Sequence, residues 1–328
     1  MFRRRLVLPL ATGLLIALTL PTAPAHASTW RIEGATPIGV TGVSPHVERT
    51  PRGDLVFRSD GPSGTAVSLC TESGCTPVTF NTGGGPINDV TIVTFPNGSK
   101  RAYFVEVNPN AGVKQVASAS CLDADCLSLG TRTPIGAGAS APMTAKAWGV
   151  PDAVLLPDGR VRIYMVESPV PGRCTENIAS YISSDGVTFT KEPGWRLEGG
   201  YVDTEVLRTT AGSWLMILAD IGCTSDRNQK LFISESSDGL TWSKPQALTG
   251  AGTSKLDPTG YEIAPNQYRI YYATANGPNF GSIERATLTL GAASQPTTTA
   301  GKKITCKKGK KIKKVSAKKC PKGYVRVP

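Results

Sequence analysis

The chain has 328 residues, with 35 Gly, 25 Pro and 40% hydrophobic residues, enough to bury a large core within a single domain. Its formal charge of +11 comes from the two ends, because residues 301–328 contain 12 Lys or Arg and no acid, and the first 27 contain three Arg and no acid. Of the 36 basic side chains, 21 therefore remain in the body against 25 acidic ones. This balance excludes a uniformly basic, nucleic-acid-binding body.

The first 27 residues have the features of an export signal. Arg3–Arg5 form a positive start, Leu6–Leu20 an apolar segment too short for a comfortable membrane span, and Ala25–Ala27 a small-residue cleavage site. We expect a secreted mature chain that begins near Ser28 and has no transmembrane segment; an uncleaved anchor is the alternative. The arginines loosely match a twin-arginine signal as well, so both the general and the twin-arginine export routes stay open.

The middle of the chain contains one pattern twice, in residues 149–193 and 201–245. Each copy begins near an aspartate, Asp152 or Asp203, and continues through two β-rich runs, a loop with a cysteine, a third strand and a Ser-Ser-Asp-Gly turn. The two aspartates are 51 positions apart and the two turns are 53 apart. A repeat of about 50 residues with four short strands is typical of a β-propeller blade.

Three weaker copies extend this pattern in both directions and open at His46, Asp89 and Asp257. Residues 29–38 are expected to supply the outer strand of the last blade, because a strand from the other end of the chain removes an exposed sheet edge. The sequence therefore predicts an all-β protein whose residues 28–290 form a five-bladed β-propeller.

The eight cysteines of an exported chain are expected to form disulfides. Two pairs share a spacing of five residues between β-like stretches, and a third pair lies in the same loop of the two clear repeats. The last two cysteines lie near the C-terminus. The predicted pairs are Cys70–Cys75, Cys121–Cys126, Cys174–Cys223 and Cys306–Cys320.

The opening residues of the inner strands are expected to line the mouth of the central channel. This predicts an acidic funnel in which Glu205 lies further along its strand, acids at the ends of second strands extend the rim, and two aromatic side chains stack on sugar faces. The predicted site comprises His46, Asp89, Asp152, Asp203, Asp257, Glu205, Glu167, Asp220, Trp148 and Tyr201. The alternative is that the aspartates accept backbone N–H bonds where blades meet and that the aromatics pack between blades.

Five blades, acidic residues that open the inner strands and an S-x-D-G-x-T-[FW] turn resemble the five-bladed glycosidase propellers of the arabinanase, xylosidase and fructosidase type. The resemblance implies a base from the first blade, an orienting Asp from the second and a general acid from the third. Carried over by position, these are His46, Asp89 and Asp152, so the chain has His at the base position and Asp in place of a Glu at the acid position. The turn also resembles the sialidase Asp box but lacks the residue between Asp and Gly.

Glycoside cleavage requires two carboxyl groups on either side of the scissile bond, one of them kept protonated by a less polar setting. Asp152 or Asp203 as base and Glu205 as acid are the expected pair. His46 is either a hydrogen-bonded core residue or a channel residue that helps to hold Ca²⁺; no other cofactor is expected. The Ser-Ser-Asp-Gly turns are expected to be structural, with Asx-turn hydrogen bonds from Asp185 and Asp238.

After the propeller, residues 291–301 have the composition of a flexible linker, and residues 302–328 form a basic tail stapled by a disulfide. The tail resembles Cys/Lys-rich C-terminal segments of secreted actinobacterial proteins. We expect it to bind anionic cell-wall polymers and to bind nucleic acid only non-specifically; a solubilising tail is the alternative. We expect a secreted monomer that the tail can attach to the cell wall. The sequence leaves two functions open: a glycoside hydrolase-like enzyme, or a non-catalytic propeller that binds glycan or protein.

Overall fold

A computed structural model describes the chain from residue 28 to residue 327. The segments outside the description are residues 109, 137, 146–147, 169–173, 224–227, 277–278, 293–303 and 316–319. The predicted export signal and most of the predicted linker lie outside the described residues. Within the described residues, no helix is long and apolar enough to cross a membrane.

The described strands form five antiparallel sheets between residues 28 and 292. The N-terminal strand is β1 (Ser28–Thr41). Blade 1 contains β2 (Val43–Thr50), β3 (Gly53–Ser59), β4 (Thr65–Thr71) and β5 (Gly74–Val78), with a short 3₁₀ turn at Gly61–Ser63. Blade 2 contains β6 (Ile87–Thr94), β7 (Lys100–Asn108), β8 (Val113–Ser120), β9 (Thr133–Pro134) and β10 (Ser140–Pro142).

The remaining blades follow the same order along the chain. Blade 3 contains β11 (Gly149–Leu155), β12 (Val161–Glu167), β13 (Asn177–Ser183) and β14 (Thr190–Lys191). Blade 4 contains β15 (Tyr201–Arg208), β16 (Trp214–Asp220), β17 (Leu231–Ser236) and β18 (Gln246–Ala247). Blade 5 contains β19 (Ser254–Ala264), β20 (Gln267–Asn276) and β21 (Asn279–Ala292).

Strand β1 completes blade 5, whose order is β1-β21-β20-β19. The two ends of the propeller thus meet in one sheet, as the sequence predicts, and the all-β, five-bladed fold is confirmed. The closure removes one exposed sheet edge, which is otherwise a site of unwanted pairing. Trp30 of β1 is buried against Tyr268 of β20, with ring centroids 5.8 Å apart.

Every inner strand contains the same irregularity. In each blade the pairing of the first two strands advances by three residues on the inner strand and two on its partner, which is a one-residue β-bulge. The bulged residue has a φ between +45° and +53° in all five blades. These residues are Ser44, Asp89, Val150, Asp203 and Asp257.

Tyrosines on second strands hold the next blade in place. The Tyr103 hydroxyl donates to the Gly186 carbonyl (2.8 Å), and the Tyr164 hydroxyl donates to the Gly239 carbonyl (2.7 Å). Both acceptors lie in the Ser-Ser-Asp-Gly turns. The aromatic residues after these turns, Phe189 and Trp242, pack edge-on against the same tyrosines. The blades are therefore joined by hydrogen bonds as well as by apolar contact.

Inside each of these turns, one aspartate holds the backbone. Asp185 Oδ1 accepts the amides of Val187 and Thr188, both at 2.8 Å, and Asp238 makes the equivalent bonds in the next blade. Both aspartates are exposed, and these amide bonds lower the pKa of each to about 2. The geometry is the Asx-turn arrangement expected from the sequence.

Four disulfides occur in the described residues: Cys70–Cys75, Cys121–Cys126, Cys174–Cys223 and Cys306–Cys320. They are the pairs that the spacing predicts, and disulfides are typical of exported proteins. Cys174–Cys223 joins loops of blades 3 and 4. Gly200 leaves room for this bond, because a Cβ there would lie 2.3 Å from Cys223 Sγ.

The C-terminal strands form a separate small sheet of order β23-β22-β24. Its strands are β22 (Ile304–Lys308), β23 (Lys311–Val315) and β24 (Val325–Val327). Cys306 is fully buried, whereas Ile312 and Val325 are 66% and 71% exposed. With so little apolar burial, the Cys306–Cys320 disulfide is the main constraint on this sheet.

Candidate functional site

Two stacked rings of side chains line the centre of the propeller. The bulged residues form the first, here called the bulge ring: Ser44, Asp89, Val150, Asp203 and Asp257. The residue two positions later in each strand forms the second, here called the inner ring, and each member pairs with the equivalent position of its second strand. The inner ring consists of His46, Thr91, Asp152, Glu205 and Thr259.

Inner-ring residues bond to the backbone of the following blade. Asp152 Oδ2 accepts the Val206 amide at 2.7 Å, and Glu205 Oε1 accepts the Gly260 amide at 3.1 Å. In the same manner, Thr91 Oγ1 accepts the Ala153 amide at 3.2 Å. Each of these amides belongs to the residue just after an inner-ring position. The ring therefore satisfies backbone donors at three of the seams between blades.

The bulge ring repeats this arrangement one level away. Asp257 Oδ2 accepts the Ser44 amide at 2.8 Å, which joins blade 5 to blade 1. The amides of Val150 and Asp257 likewise bond the carboxylates of Asp89 and Asp203, in each case from the following blade. Asp203 and Asp257 also share a hydrogen bond between their carboxyl groups. Two carboxyls that share such a bond must hold a proton between them.

Burial raises the pKa values of this carboxyl cluster. It raises the pKa of Asp152 and that of Asp257 to about 6. Burial, together with the charge of Asp257, raises the pKa of Asp203 well above its usual value, and burial with the charge of Asp152 does the same for Glu205. The pKa values of all four carboxyls are therefore raised, and a raised pKa is what a general acid in glycoside cleavage requires.

The space between the rings is small. The cavity that they enclose has a volume of about 20 Å³, about the room that one water molecule needs. Proline side chains narrow it further, since Pro45, Pro151 and Pro258 lie between ring positions in three blades. Asp152 is 4% exposed and Glu205 is 7% exposed. The predicted acidic ring is present, but its carboxyls are buried around a narrow centre in place of a wide funnel.

The side chains of the two rings are not arranged as the ligands of a metal ion. Within the described residues, no group of three or more His, Cys, Asp or Glu side chains is arranged to hold a metal ion. His46 Nε2 instead lies 3.4 Å from Glu48 Oε1. Burial alone would raise the pKa of Glu48, but His46 and Lys100 together lower it below its usual value. The residues present thus do not fit the Ca²⁺ that the sequence suggested for the channel.

Four residues of the predicted site lie outside this cavity. Trp148 is buried beneath Lys114, whose Nζ is 5.6 Å from its ring centroid. Glu167 accepts the Tyr181 hydroxyl at 2.6 Å and pairs with Lys191.

The other two belong to blade 4. Asp220 is buried and accepts the Lys230 amide at 2.8 Å. Tyr201 is half-buried and packs edge-on against Phe232. Both side chains are thus engaged within their own blade or the adjoining loop, away from the central cavity.

The sequence placed the opening residues of all five inner strands in one ring, but the structure divides them: His46 and Asp152 lie in the inner ring, and Asp89, Asp203 and Asp257 lie in the bulge ring. Asp152 was paired with Asp203, but the strand register pairs Asp152 with Glu205 and places Asp203 in the bulge ring. The Ser-Ser-Asp-Gly turns are 53 positions apart, which is the spacing between Asp152 and Glu205. Sequence reasoning missed Thr91 and Thr259, which lie two residues after Asp89 and Asp257, just as Glu205 lies two residues after Asp203.

Comparison with solved structures identifies the fold. A thermostable family-43 glycoside hydrolase matches with a TM-score of 0.55 and 14% identity over 79% of this chain and 96% of its own. An endo-arabinase from Bacteroides thetaiotaomicron matches with a TM-score of 0.54 and 12% identity over 81% and 99%. An N-acetylgalactosamine deacetylase from F. plautii, solved with blood group B trisaccharide, matches with a TM-score of 0.56 and 12% identity over 81% and 94%.

At these identities the likeness shows a shared fold, that of glycosidase-type propellers. No protein-family model matches the chain, and no curated protein matches it by sequence.

Proposed function

We propose that this chain is an exported, carbohydrate-binding propeller in which the carboxyl groups of the bulge ring and the inner ring hold the blades together. The observation that carries the proposal is the cavity of about 20 Å³ between the rings. Ligand pockets usually have volumes of about 300 Å³ or more. A sugar ring therefore cannot reach the carboxyls of Asp152 and Glu205 in this conformation, and their backbone bonds give them a structural role.

Carbohydrate as the ligand is supported by the fold. The similar solved structures are described as a glycoside hydrolase, an arabinase and a deacetylase solved with a trisaccharide. A fold alone does not fix a function, so the class of ligand is the part of the proposal that most needs a test. The catalytic, orienting role of Asp89 stays a prediction. So do the sugar-contacting roles of His46, Asp257, Trp148, Tyr201, Glu167 and Asp220.

The second candidate is a glycoside hydrolase that uses Asp152 or Asp203 as base and Glu205 as acid. One observation favours it: two neighbouring buried carboxyls, of which Glu205 has a raised pKa, are what acid catalysis of this bond requires. For this candidate the rings would have to open and release the Val206 and Gly260 amides before substrate could enter.

One experiment separates the two candidates. The mature protein is incubated with arabinan, xylan, fructan and sialylated glycans, and both binding and release of reducing sugar are measured. We expect binding of at least one glycan without turnover. Sugar release that Glu205→Gln or Asp152→Asn abolishes would overturn the proposal in favour of the hydrolase, and absence of binding to every glycan would remove carbohydrate as the ligand.

We further propose the domain limits and location that the sequence predicts: a signal at 1–27, a propeller at 28–290, a linker at 291–301 and a cell-wall-adhering tail at 302–328, in a monomer. The charge of the tail supports its adhesion to anionic cell-wall material, since residues 301–328 contain 12 basic and no acidic side chains. Removal of residues 301–328 should abolish pull-down of anionic cell-wall material. Retention of that binding would assign the adhesion to the propeller.

A further inference from the structure

A positively charged groove, separate from the central cavity, lies at the opposite end of the blades from the two rings. It is formed where blade 1 meets blade 5, between the β2–β3 turn, the disulfide-closed β4–β5 hairpin and the edge of strands β19 to β21. Its volume is about 330 Å³, within the usual range for a small-ligand pocket. We call it the arginine groove, after four side chains in its wall: Arg49, Arg52, Arg269 and Arg285.

The arginine groove already holds a carboxylate of its own chain. Glu72, at the tip of the β4–β5 hairpin, accepts Arg285 Nη2 at 2.7 Å and lies 3.9 Å from Arg269 Nη2. The Arg285 side chain is only 15% exposed, whereas that of Glu72 is 79% exposed. Ion pairs with so exposed a partner contribute little free energy. An external carboxylate can therefore replace Glu72 at small cost.

A further arginine is available beside this pair. The Arg49 guanidinium lies over the Tyr261 ring, 5.5 Å from its centroid, and forms no ion pair with a carboxylate of the described residues. Asp54, the other acid of the groove, accepts the hydroxyls of Tyr261 and Tyr271. These bonds fix the Asp54 carboxylate at the base of the wall, and Arg49 remains free to take a second anionic group.

We propose that the arginine groove binds a carboxylate-bearing carbohydrate of the uronic acid type, which displaces Glu72. Guanidinium groups match planar carboxylates with paired hydrogen bonds. A chain of uronic acids repeats that group, so one carboxylate occupies Arg269 and Arg285 and a second reaches Arg49. The anionic part of the proposal stands on the groove alone, whereas the carbohydrate part rests on the proposed function.

Calorimetric titration of the full mature chain with trigalacturonate tests the proposal. Arg285→Ala and Arg269→Ala should each weaken binding by about tenfold or more, and Glu72→Gln should tighten it by about threefold because it removes the internal competitor. Arg160→Ala is the matched control, because it removes the same charge at an exposed turn where Arg160 pairs with Asp158. The basic tail is common to all variants, so differences between them report the groove.

The outcomes are distinct. Equal binding by Arg285→Ala and Arg160→Ala, or no effect of Glu72→Gln, would overturn the site; because Glu72 is exposed, its variant gives an answer even if the arginine variants fold poorly. Hexaglutamate that binds as tightly as trigalacturonate, and is equally sensitive to Arg285→Ala, would replace the carbohydrate with an acidic peptide. Neutral glycan binding is measured separately, so loss of the proposed function and loss of this site are distinguishable.

Discussion

Asp152 and Glu205 occupy the same position in neighbouring blades, and each accepts a backbone amide from the blade that follows it. The register confirms the equivalence, since Asp152 pairs with Tyr164 and Glu205 with Ile217 on their second strands. The same carboxyls that a hydrolase would use for catalysis are therefore part of the contacts that hold the blades together. Their substitution has consequences for stability that can be measured without knowing the substrate.

Removal of the Asp152 carboxyl should destabilise the propeller. Asp152→Ala leaves the buried Val206 amide without an acceptor, which costs about 2 kcal/mol in the free energy of unfolding. Asp152→Asn keeps an acceptor oxygen and should cost less. Urea unfolding measures both, with Asp158→Ala as a control at an exposed turn, expected to change stability by no more than about 0.5 kcal/mol. If Asp152→Ala were as mild as Asp158→Ala, the structural role of the ring would be wrong.

The buried carboxyls should make the protein more stable in mild acid than at neutral pH. Burial raises the pKa of Asp152 and of Asp257 to about 6 in the folded chain, against about 4 when unfolded. Between these values the folded state binds more protons, so the free energy of unfolding falls as pH rises from about 4 to about 6. Each group contributes at most about 3 kcal/mol to this fall.

Two other aspartates oppose this trend at lower pH. Backbone amides lower the pKa of Asp185 and of Asp238 to about 2, so their stabilising effect is present above about pH 4 and is lost as pH falls toward 2. Urea midpoints between pH 3 and pH 7 should therefore peak near about pH 4 to 5. Glu205→Gln should flatten the neutral side of the curve. A midpoint that rises steadily from pH 5 to pH 7 would contradict the assignment.

The tyrosine contacts between blades should be measurable one at a time. Tyr164→Phe removes the hydroxyl that donates to Gly239 and leaves a buried carbonyl unpaired, at a cost of about 1 kcal/mol. Tyr201→Phe removes the same atom where the hydroxyl has no hydrogen-bond partner among the described residues, and should be near neutral. Thermal unfolding compares the two. Equal melting temperatures would show that the Gly239 contact does not stabilise the fold.

The disulfide between blades 3 and 4 should matter more than a hairpin disulfide. Cys174 and Cys223 are separated by 49 positions and Cys70 and Cys75 by 5. In the chain-entropy account, loss of the first costs about 4 kcal/mol and loss of the second about 2 kcal/mol. Paired Cys→Ser variants, compared by urea unfolding, measure both. A smaller loss for the Cys174–Cys223 pair would contradict this order.

Val150 is the one β-branched residue in the bulge ring, with φ +45°. This conformation is costly for valine and much easier for asparagine. Val150→Asn should therefore raise the free energy of unfolding by about 1 kcal/mol. Val107→Asn is the control, because Val107 is 51% exposed in strand β7, where valine is favoured. A destabilised Val150→Asn variant would show that packing of the valine side chain outweighs backbone strain.

The fold was largely predictable because it depends on local signals that recur. The equivalent turns at Asp185 and Asp238 mark two neighbouring blades, and the cysteine spacings indicate which cysteines pair. The β-rich N-terminal segment predicts the strand that completes the last blade. The inner-strand register was not predictable in the same way, since the bulge adds one residue and breaks the two-residue alternation of a strand. Aspartate is favourable both at the left-handed bulge position of Asp203 and at the hydrogen-bond acceptor position of Asp152. The sequence alone therefore does not distinguish these two positions.

The small size of the central cavity could not be read from the sequence either. A ring of acidic residues is compatible with an open funnel or with a filled one, and composition does not distinguish them. The outcome depends on how far the side chains of five blades extend toward each other, and here Pro45, Pro151 and Pro258 line the small cavity together with the ring residues. Such convergence is set by the whole ring.

The pairing of β1 with β21 also dictates an order of events in folding. These strands lie at opposite ends of the propeller, so β1 is synthesised first and must wait for a partner that is synthesised about 250 residues later. Blades 1 to 4 contain all their strands within one stretch of chain and can form as they emerge. Blade 5 cannot, so we expect completion of the ring to be the final step, before which the edge of β21 is exposed to other chains.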